Sequence, residues 1–370
     1  MAEKQQKVLN KINKKSQTSQ NIHKLKLKPN DECYTSMQDI LNELQPWADL
    51  RKFQGKNIIC PCDWDIVKGK DIYSIKITYN ETGVNVLGND VKKIEVVYNL
   101  WDEENNQITI KLKEDEIEEF LRDKLTCNFI RTFTQNARAW GIKSITASGY
   151  NPTTGKGVRF QDVDYSEYDI CVTNPPFSLY GEFMKCIIDK IDFIVLAPFL
   201  NRINPCIGLP LMLKKAYLGF NYYLQLNFIN PNTQNEYMKK AVCCDWITSF
   251  NDAEQSRNSE HYKTGIKYDL YKDDFSYMEN MIMKDGTKAL RVTGTTYPED
   301  YNGWMFAPGN VLNKLDTSIY EWQLSEARTY YKNNPDKYPY LNTYDMNFYI
   351  SEGKKYFLGI VFRKKPGVKE

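Results

Sequence analysis

An apolar run that stops at two consecutive prolines constrains the fold of this chain more than any other feature. Residues 169–173, DICVT, have the composition of a buried strand, and the tetrapeptide NPPF (174–177) follows directly. Proline lacks an N–H and has a fixed φ, so the two prolines form a rigid loop that cannot rejoin a strand ladder. Residues 180–190 then have helical periodicity. The order predicts a strand, a stiff loop with Asn174 at the carboxyl end of the strand, and a helix.

The segments around this unit alternate between strand and helix patterns. Short apolar runs predict further strands at residues 57–60, 144–147, 192–197, 217–220 and 241–250. Helical spacing of apolar residues predicts helices within 37–53 (broken by Pro46), 114–140 and 209–215. This alternation predicts an α/β fold with an open, largely parallel, Rossmann-like sheet and helices on both faces.

Residues 71–112 depart from this alternation. They alternate apolar and polar residues between turn formers, which predicts a small antiparallel β-meander. The meander is interpreted as an insertion at about residues 66–113, between the first strand and the helix that follows it. The leading interpretation is that the insertion has no binding role. The alternatives are that it contacts DNA or a partner.

Charge sets off a basic flexible arm (1–30), and the strand–helix pattern loosens after about residue 251, which separates an α/β domain (31–250) from a C-terminal region (251–370). The arm holds eight lysines and one acid, whereas the whole chain has a net charge of only +2. Such an arm favours a polyanionic partner, because lysines near phosphates release condensed counterions; a solvated tail is the alternative. The C-terminal region holds 17 basic and 17 acidic residues, so it has no net charge.

The cysteine and histidine content argues against a metal site, and the amino-terminal sequence argues against export. The chain has nine cysteines and two histidines, and no second cysteine pair accompanies Cys60-Pro61-Cys62. The lysine-rich start lacks the apolar segment of a secretory signal. No run reaches the roughly 18 apolar residues of a membrane span. We therefore expect no metal, no membrane partner and reduced thiols in a cytoplasmic protein.

The residues at the end of the predicted 169–173 strand suit one kind of chemistry. Ligands of open α/β sheets bind at the carboxyl ends of the strands. The Asn174 amide oxygen and the Pro175 carbonyl can accept both N–H bonds of an exocyclic amino group, while Phe177 offers a face for a planar base. A base in a duplex reaches such a pocket only if it is flipped out. The alternative is a turn that merely ends a strand.

Several segments together resemble the EcoRI-type adenine-specific DNA methyltransferases. The first is CVTNPPFSLYGEFM (171–184), which is similar to the catalytic motif of S-adenosylmethionine-dependent amino-methyltransferases. The lysine-rich arm followed by DECYT (31–35) is similar to that family's amino-terminal segment, and IICPCD (58–63) to its first cofactor strand. Residues 128–129 and 141–147 resemble the next helix and strand. The resemblance covers residues 20–250 well and the rest loosely.

This resemblance implies that residues 31–250 are a Rossmann-like methyltransferase catalytic domain, which uses S-adenosyl-L-methionine and methylates adenine N6 in double-stranded DNA. It implies that Asn174 and Pro175 hold the target amino group, that Pro176 stiffens the loop and that Phe177 stacks on the base. It also implies five cofactor-binding residues: Tyr34, Thr35, Cys62, Asp63 and Asp162, the last in competition with Asp164. The C-terminal region is left to recognise DNA, with Arg257, Arg291, Arg328 and Arg363 as candidates for contacts with guanine.

Two departures from the usual methyltransferase pattern stand out. The glycine-rich first cofactor loop is replaced by PCDWD (61–65), and no acid ends the strand at 144–147, where a ribose ligand is expected. Ser148 and Tyr150 are the polar candidates there. Methylation of RNA or of protein glutamine, or a catalytically inactive nucleic-acid-binding module, are the alternative functions. We expect a monomer from a bacterial or phage-infected cell, with a restriction endonuclease as a possible companion.

Overall fold

The computed structural model describes most of the chain between Thr35 and Val368. The described residues are 35–63, 66–67, 72–84, 90–101, 106–151, 155–203, 205–226, 242–259, 268, 281–283, 287–292, 297–324, 349–351, 355–356 and 359–368.

A ten-stranded mixed sheet forms the centre of the described chain. Its strands are β1 (Asn57–Cys60), β2 (Ile72–Val84), β3 (Asp90–Trp101), β4 (Gln107–Lys111), β5 (Ser144–Ser148), β8 (Ile170–Thr173), β9 (Asp192–Pro198), β10 (Tyr217–Leu218), β11 (Leu224–Leu226) and β12 (Val242–Thr248). The order is β10-β12-β9-β8-β1-β5-β2-β3-β4, with β11 beside β12. The neighbouring strands β5, β1, β8 and β9 pair in parallel, whereas β12 pairs antiparallel with β9 and β2 pairs antiparallel with β5. The Rossmann-like α/β class is confirmed, while the parallel part is smaller than predicted.

Helices cover both faces of this sheet. They are α1 (Met37–Asp49), α2 (Glu114–Glu119), α3 (Asn128–Trp140), α4 (Tyr180–Ile187), α5 (Pro205–Met212) and α6 (Asp252–Ser259). Apolar side chains of α1 and α3 pack with Ile58, Ile145 and Val172 on one face. Those of α4 and α5 pack with Ile59, Cys171 and Val195 on the other. Successive side chains of a strand point to opposite faces, so β1 and β8 contribute to both cores.

Helix α1 continues through Pro46, where the sequence predicted a break. A proline inside a helix leaves the carbonyl four residues earlier without its usual N–H partner. Here the Asn221 side chain donates to the Asn42 carbonyl at 3.0 Å, which replaces that bond.

The buried Glu43 of α1 explains why β10 is shorter than the predicted strand at 217–220. Its carboxylate accepts hydrogen bonds from the backbone N–H groups of Phe220 (3.1 Å) and Asn221 (2.7 Å) and from Trp47 Nε1 (2.9 Å). A Cβ at Gly219 would lie 2.3 Å from Glu43 Oε1, so only glycine permits this approach. The chain after Leu218 therefore wraps around the carboxylate instead of extending β10.

The predicted meander is present, but it is part of the main sheet. Strand β2 pairs with β5 in antiparallel register, with Ser74 opposite Ser148 and Ile77 opposite Ile145. Strands β3 and β4 then extend the sheet outward. The stacked rings of Tyr98 and Phe120, 5.7 Å apart, pack this extension on the turn after α2. The insertion thus occupies the position directly beside β5.

The described part of the C-terminal region forms a second sheet. Its strands are β13 (Met281–Met283), β14 (Lys288–Arg291), β15 (Met305–Ala307), β16 (Tyr320–Leu324), β17 (Tyr349–Ser351), β18 (Lys355–Tyr356) and β19 (Ile360–Lys364). Their order is β16-β19-β15-β14-β13-β17-β18. Two further short strands, β6 (Tyr150–Asn151) and β7 (Lys156–Gly157), pair with each other after β5. No helix in the described ranges has the length and apolar character needed to cross a membrane.

Candidate active site

The NPPF loop leaves the sheet at the carboxyl end of β8. Thr173 is the last residue of the strand, and a 3₁₀ turn, Phe177–Leu179, leads into α4. The Leu179 N–H donates to the Pro176 carbonyl at 3.0 Å. Pro175 is buried, whereas Asn174 and Phe177 are half-buried. The two prolines therefore hold Asn174 and Phe177 at the sheet edge, on a backbone that is fixed on both sides.

The side chain of Asn174 is oriented by Thr35. Asn174 Nδ2 donates to Thr35 Oγ1 at 3.3 Å, and the Thr35 carbonyl in turn accepts from Asn128 Nδ2 at 2.9 Å. Thr35 is 3% exposed, so this chain of bonds lies inside the protein. An amide that uses its nitrogen in this way keeps its oxygen as the acceptor for an incoming N–H group.

Asp63 joins the ends of three neighbouring parallel strands. It follows β1, and its N–H donates to the Ser148 carbonyl at the end of β5 (2.8 Å). Its carboxylate accepts from Thr173 Oγ1 of β8 (3.2 Å) and from the Cys127 thiol before α3 (3.1 Å). Burial raises the pKa of Asp63 to about 7, although both hydrogen bonds oppose the rise. The carboxyl group therefore changes charge near neutral pH.

The thiol that binds Asp63 is a hydrogen-bond donor at neutral pH. Cys127 is buried, and burial together with the neighbouring Asp63 raises the pKa of its thiol well above the usual range. Cys62 is half-buried and packs against the core on the α4 side of the sheet. Among the described residues, no group of three or more His, Cys, Asp or Glu side chains is arranged to hold a metal ion.

The structure brings together some of the residues suggested by the sequence and separates others. Thr35 binds Asn174, and Asp63 binds Thr173, the residue before Asn174, so both bonds lie at the carboxyl end of β8. Tyr34 lies outside the described residues. Asp162 is exposed and pairs with Arg159 at 3.7 Å. Asp164, its competitor, caps the turn Tyr165–Glu167 by accepting from Ser166, which lowers its pKa.

Sequence reasoning missed the partners that orient these groups. Thr173 and Cys127 bind the Asp63 carboxylate, and Asn128 binds the Thr35 carbonyl. The available signal was position: Thr173 directly precedes Asn174, while Cys127 and Asn128 begin α3.

The end of β5 offers polar groups where no acid is present. Ser148 is 4% exposed, and its hydroxyl has no hydrogen-bond partner within the described part of the chain. Tyr150 follows on β6, with the Arg159 guanidinium 5.6 Å from its ring centroid. A buried hydroxyl without a partner is rare in proteins and fits a site that a ligand completes.

Comparisons with known proteins identify the family of this chain. A sequence profile of the family described as "Adenine-specific methyltransferase EcoRI" matches residues 21–365. The Type II methyltransferase M.EcoRI of Escherichia coli is 23% identical over 341 residues, which cover 82% of this chain and 88% of that protein. No solved structure matches the chain. The matched span includes the NPPF loop, Asp63 and the C-terminal sheet.

Proposed function

Because the chain belongs to the EcoRI family of adenine-specific methyltransferases and is thus a DNA methyltransferase, we propose that it methylates adenine N6 in double-stranded DNA with S-adenosyl-L-methionine as the methyl donor. The observation that carries this proposal is the Asn174 amide, held by Thr35 at the end of β8 on a loop stiffened by two prolines.

The chemistry requires an acceptor pair rather than a strong base. The lone pair of an adenine amino group is delocalised into the ring, so the nitrogen is a poor nucleophile. Asn174 Oδ1 and the Pro175 carbonyl accept its two N–H bonds, which favours a more tetrahedral nitrogen and offsets the positive charge that develops on it. Phe177 stacks on the ring and fixes its plane.

The cofactor site proposed here lies at the ends of β1 and β5. Thr35, Cys62 and Asp63 border its methionine end, and the buried hydroxyl of Ser148 suits the ribose in place of an acid. When bound, the cofactor supplies an electrophilic methyl group. Tyr34 and Asp162 remain proposals from the resemblance: Tyr34 beside the methionine end and Asp162 at the adenine, after reorientation of its exposed side chain.

The duplex substrate implies base flipping, since a stacked adenine cannot reach Asn174 at a strand end. We propose that the lysine arm (1–30) and the C-terminal region (251–370) contact the DNA. Arg291 is exposed and fits this role, whereas Arg363 binds Glu321 and lies 4.3 Å from the Trp304 ring centroid. We also propose that the protein acts as a monomer in the cytoplasm. Its methylation would modify the site that a restriction endonuclease recognises.

One experiment tests the reaction. Purified protein is incubated with radiolabelled S-adenosylmethionine and unmethylated genomic DNA, and the digested nucleosides are separated. We expect label in N6-methyladenine, and none with the Asn174→Ala variant. Label only in protein or RNA would contradict the proposal. DNA binding without any label would favour an inactive binding module.

A further inference from the structure

We infer that the inserted strands β2 and β3 form the adenosine side of the cofactor site, with Tyr73 and Trp101 as its aromatic wall and Trp101 as a hydrogen-bond donor. The inference rests on the proposed function, and it assigns a binding role to a segment that the sequence suggested was decoration.

The register of the sheet carries the first step. Ser148, the last residue of β5, lies opposite Ser74 of β2, and Ser74 lies opposite Asn99 of β3. The Gly149 N–H also donates to the Tyr73 carbonyl at 3.4 Å. The start of β2 therefore lies directly beside the end of β5, at the edge where Asp63 binds the Ser148 carbonyl.

Strand direction carries the second step. Strand β3 runs parallel to β5, because both are antiparallel to β2. It continues past the level of Ser148 to Trp101, on the ligand side of the edge. Strands are about 4.8 Å apart, so β2 lies roughly 10 Å from β1. This separation matches the length of a nucleoside that extends from the Asp63 end of the site.

A row of hydrogen bonds fixes this geometry. Asn99 Nδ2 donates to Ser74 Oγ at 2.7 Å, and Thr109 Oγ1 of β4 donates to Asn99 Oδ1 at 2.6 Å. The row locks β3 to both neighbours two residues before Trp101. The Tyr73 and Trp101 rings, half-buried, then lie 5.7 Å apart at the end of the row.

Two polar atoms indicate that a ligand belongs here. Trp101 Nε1 and Ser148 Oγ are both buried, and neither has a hydrogen-bond partner in the ranges that the structure describes. Buried donors without partners are uncommon, and these two lie on neighbouring parts of one edge. An adenine ring nitrogen accepts from an indole N–H, and a ribose hydroxyl bonds to a serine hydroxyl. One adenosine group would therefore satisfy both atoms.

Binding of adenosine compounds to the full chain tests the inference. The variants are Trp101→Phe, which keeps a ring but removes the N–H, and Tyr73→Leu, which keeps bulk but removes the ring. Trp304→Phe is the matched control, because Trp304 packs on Arg363 in the C-terminal sheet. Isothermal titration measures Kd for S-adenosylhomocysteine and for 5′-methylthioadenosine, which lacks the amino-acid portion. Circular dichroism checks that each variant folds.

We expect the Trp101→Phe and Tyr73→Leu variants each to raise the Kd for both compounds roughly threefold to tenfold, the range of one hydrogen bond or ring contact. The control should bind as the wild type does. Unchanged Kd values in the folded variants, or weaker binding of S-adenosylhomocysteine only, would overturn this inference and leave the proposed function standing. If the wild type bound neither compound, the proposed function would fail as well.

Discussion

Asn174 Nδ2 lies 3.3 Å from Thr35 Oγ1, although 139 positions separate the two residues in the sequence. The bond joins the end of β8 to the segment before α1. It fixes which end of the Asn174 amide faces Thr35, and so which end faces a substrate. The Asn174 side chain of the NPPF loop is thus oriented by a residue outside its own motif.

Replacement of Thr35 by valine should slow methyl transfer roughly fivefold to tenfold, because Asn174 loses the bond that holds its amide. Thr35→Ser keeps the hydroxyl and should retain most of the rate. Single-turnover assays at saturating cofactor separate this effect from weaker binding. Thr132→Val is the control, since that buried hydroxyl donates only to the Asn128 carbonyl within α3. Equal losses in Thr35→Val and Thr132→Val would contradict a specific role for Thr35.

The affinity for S-adenosylmethionine should increase as the pH rises through about 7. Burial raises the pKa of Asp63 to about 7, so its carboxyl is neutral below that pH and anionic above it. An anion beside the methionine end attracts the sulfonium cation. S-adenosylhomocysteine has a neutral sulfur and should show a flatter pH profile. The Asp63→Asn variant should remove the difference between the two compounds, and a difference that persisted would exclude Asp63 as its source.

The free energy of unfolding should fall as the pH rises from about 4.5 to 7. Burial raises the pKa of Glu43 from 4.5 to about 7, so the folded chain binds the proton more tightly than the unfolded chain. The stabilisation is complete below the ordinary pKa and is lost by pH 7, on the order of 3 kcal/mol for this group. Urea denaturation at several pH values measures the slope. Glu43→Gln should reduce the dependence of the unfolding free energy on pH. Asp63→Asn should reduce the dependence that is left, because burial raises the pKa of Asp63 as well.

Loss of Arg202 should destabilise the protein more than loss of its whole ion pair. Arg202, fully buried, binds the Asp245 carboxylate of β12 through two nitrogens and also binds Asn313 beside the C-terminal sheet. Arg202→Met leaves Asp245 buried without its cation, at a cost of about 3–5 kcal/mol. The double variant Arg202→Met/Asp245→Leu should recover a large part of that loss. A thermodynamic cycle from denaturant unfolding measures the coupling, and additive effects would contradict it.

The parallel centre of the fold could be predicted from the sequence because its signals are local. Residues 57–60, 169–173 and 192–197 are short apolar runs with polar or proline stops, and each is a strand in the structure. The continuation of α1 through Pro46 could not be predicted, because the replacement donor, Asn221, is far along the chain. The position of β2 in the sheet could not be predicted either, because period-two alternation predicts a strand but does not indicate which strand it pairs with.

The candidate site was predictable where one segment carries it. The NPPF loop contains its own rigidity and acceptors, so Asn174 and Phe177 stood out. The polar network around Asp63 depends on contacts that no local pattern contains: Cys127 lies 64 positions away and Thr173 lies 110 away. The assignments of Asp162 and Tyr34 as cofactor ligands remain predictions.

These separations also determine when the site can form as the chain is synthesised. Strand β1 pairs with β5 and β8, so its first parallel neighbour is complete only after residue 148 has left the ribosome and its second only after residue 173. Pairing between distant segments is slow, because loop closure precedes the contacts that reward it. The strand that leads to Asp63 is among the first to be made and must wait for both neighbours. A nascent chain that ends before Thr173 therefore contains Asp63 but neither the end of β8 nor the NPPF loop that follows it.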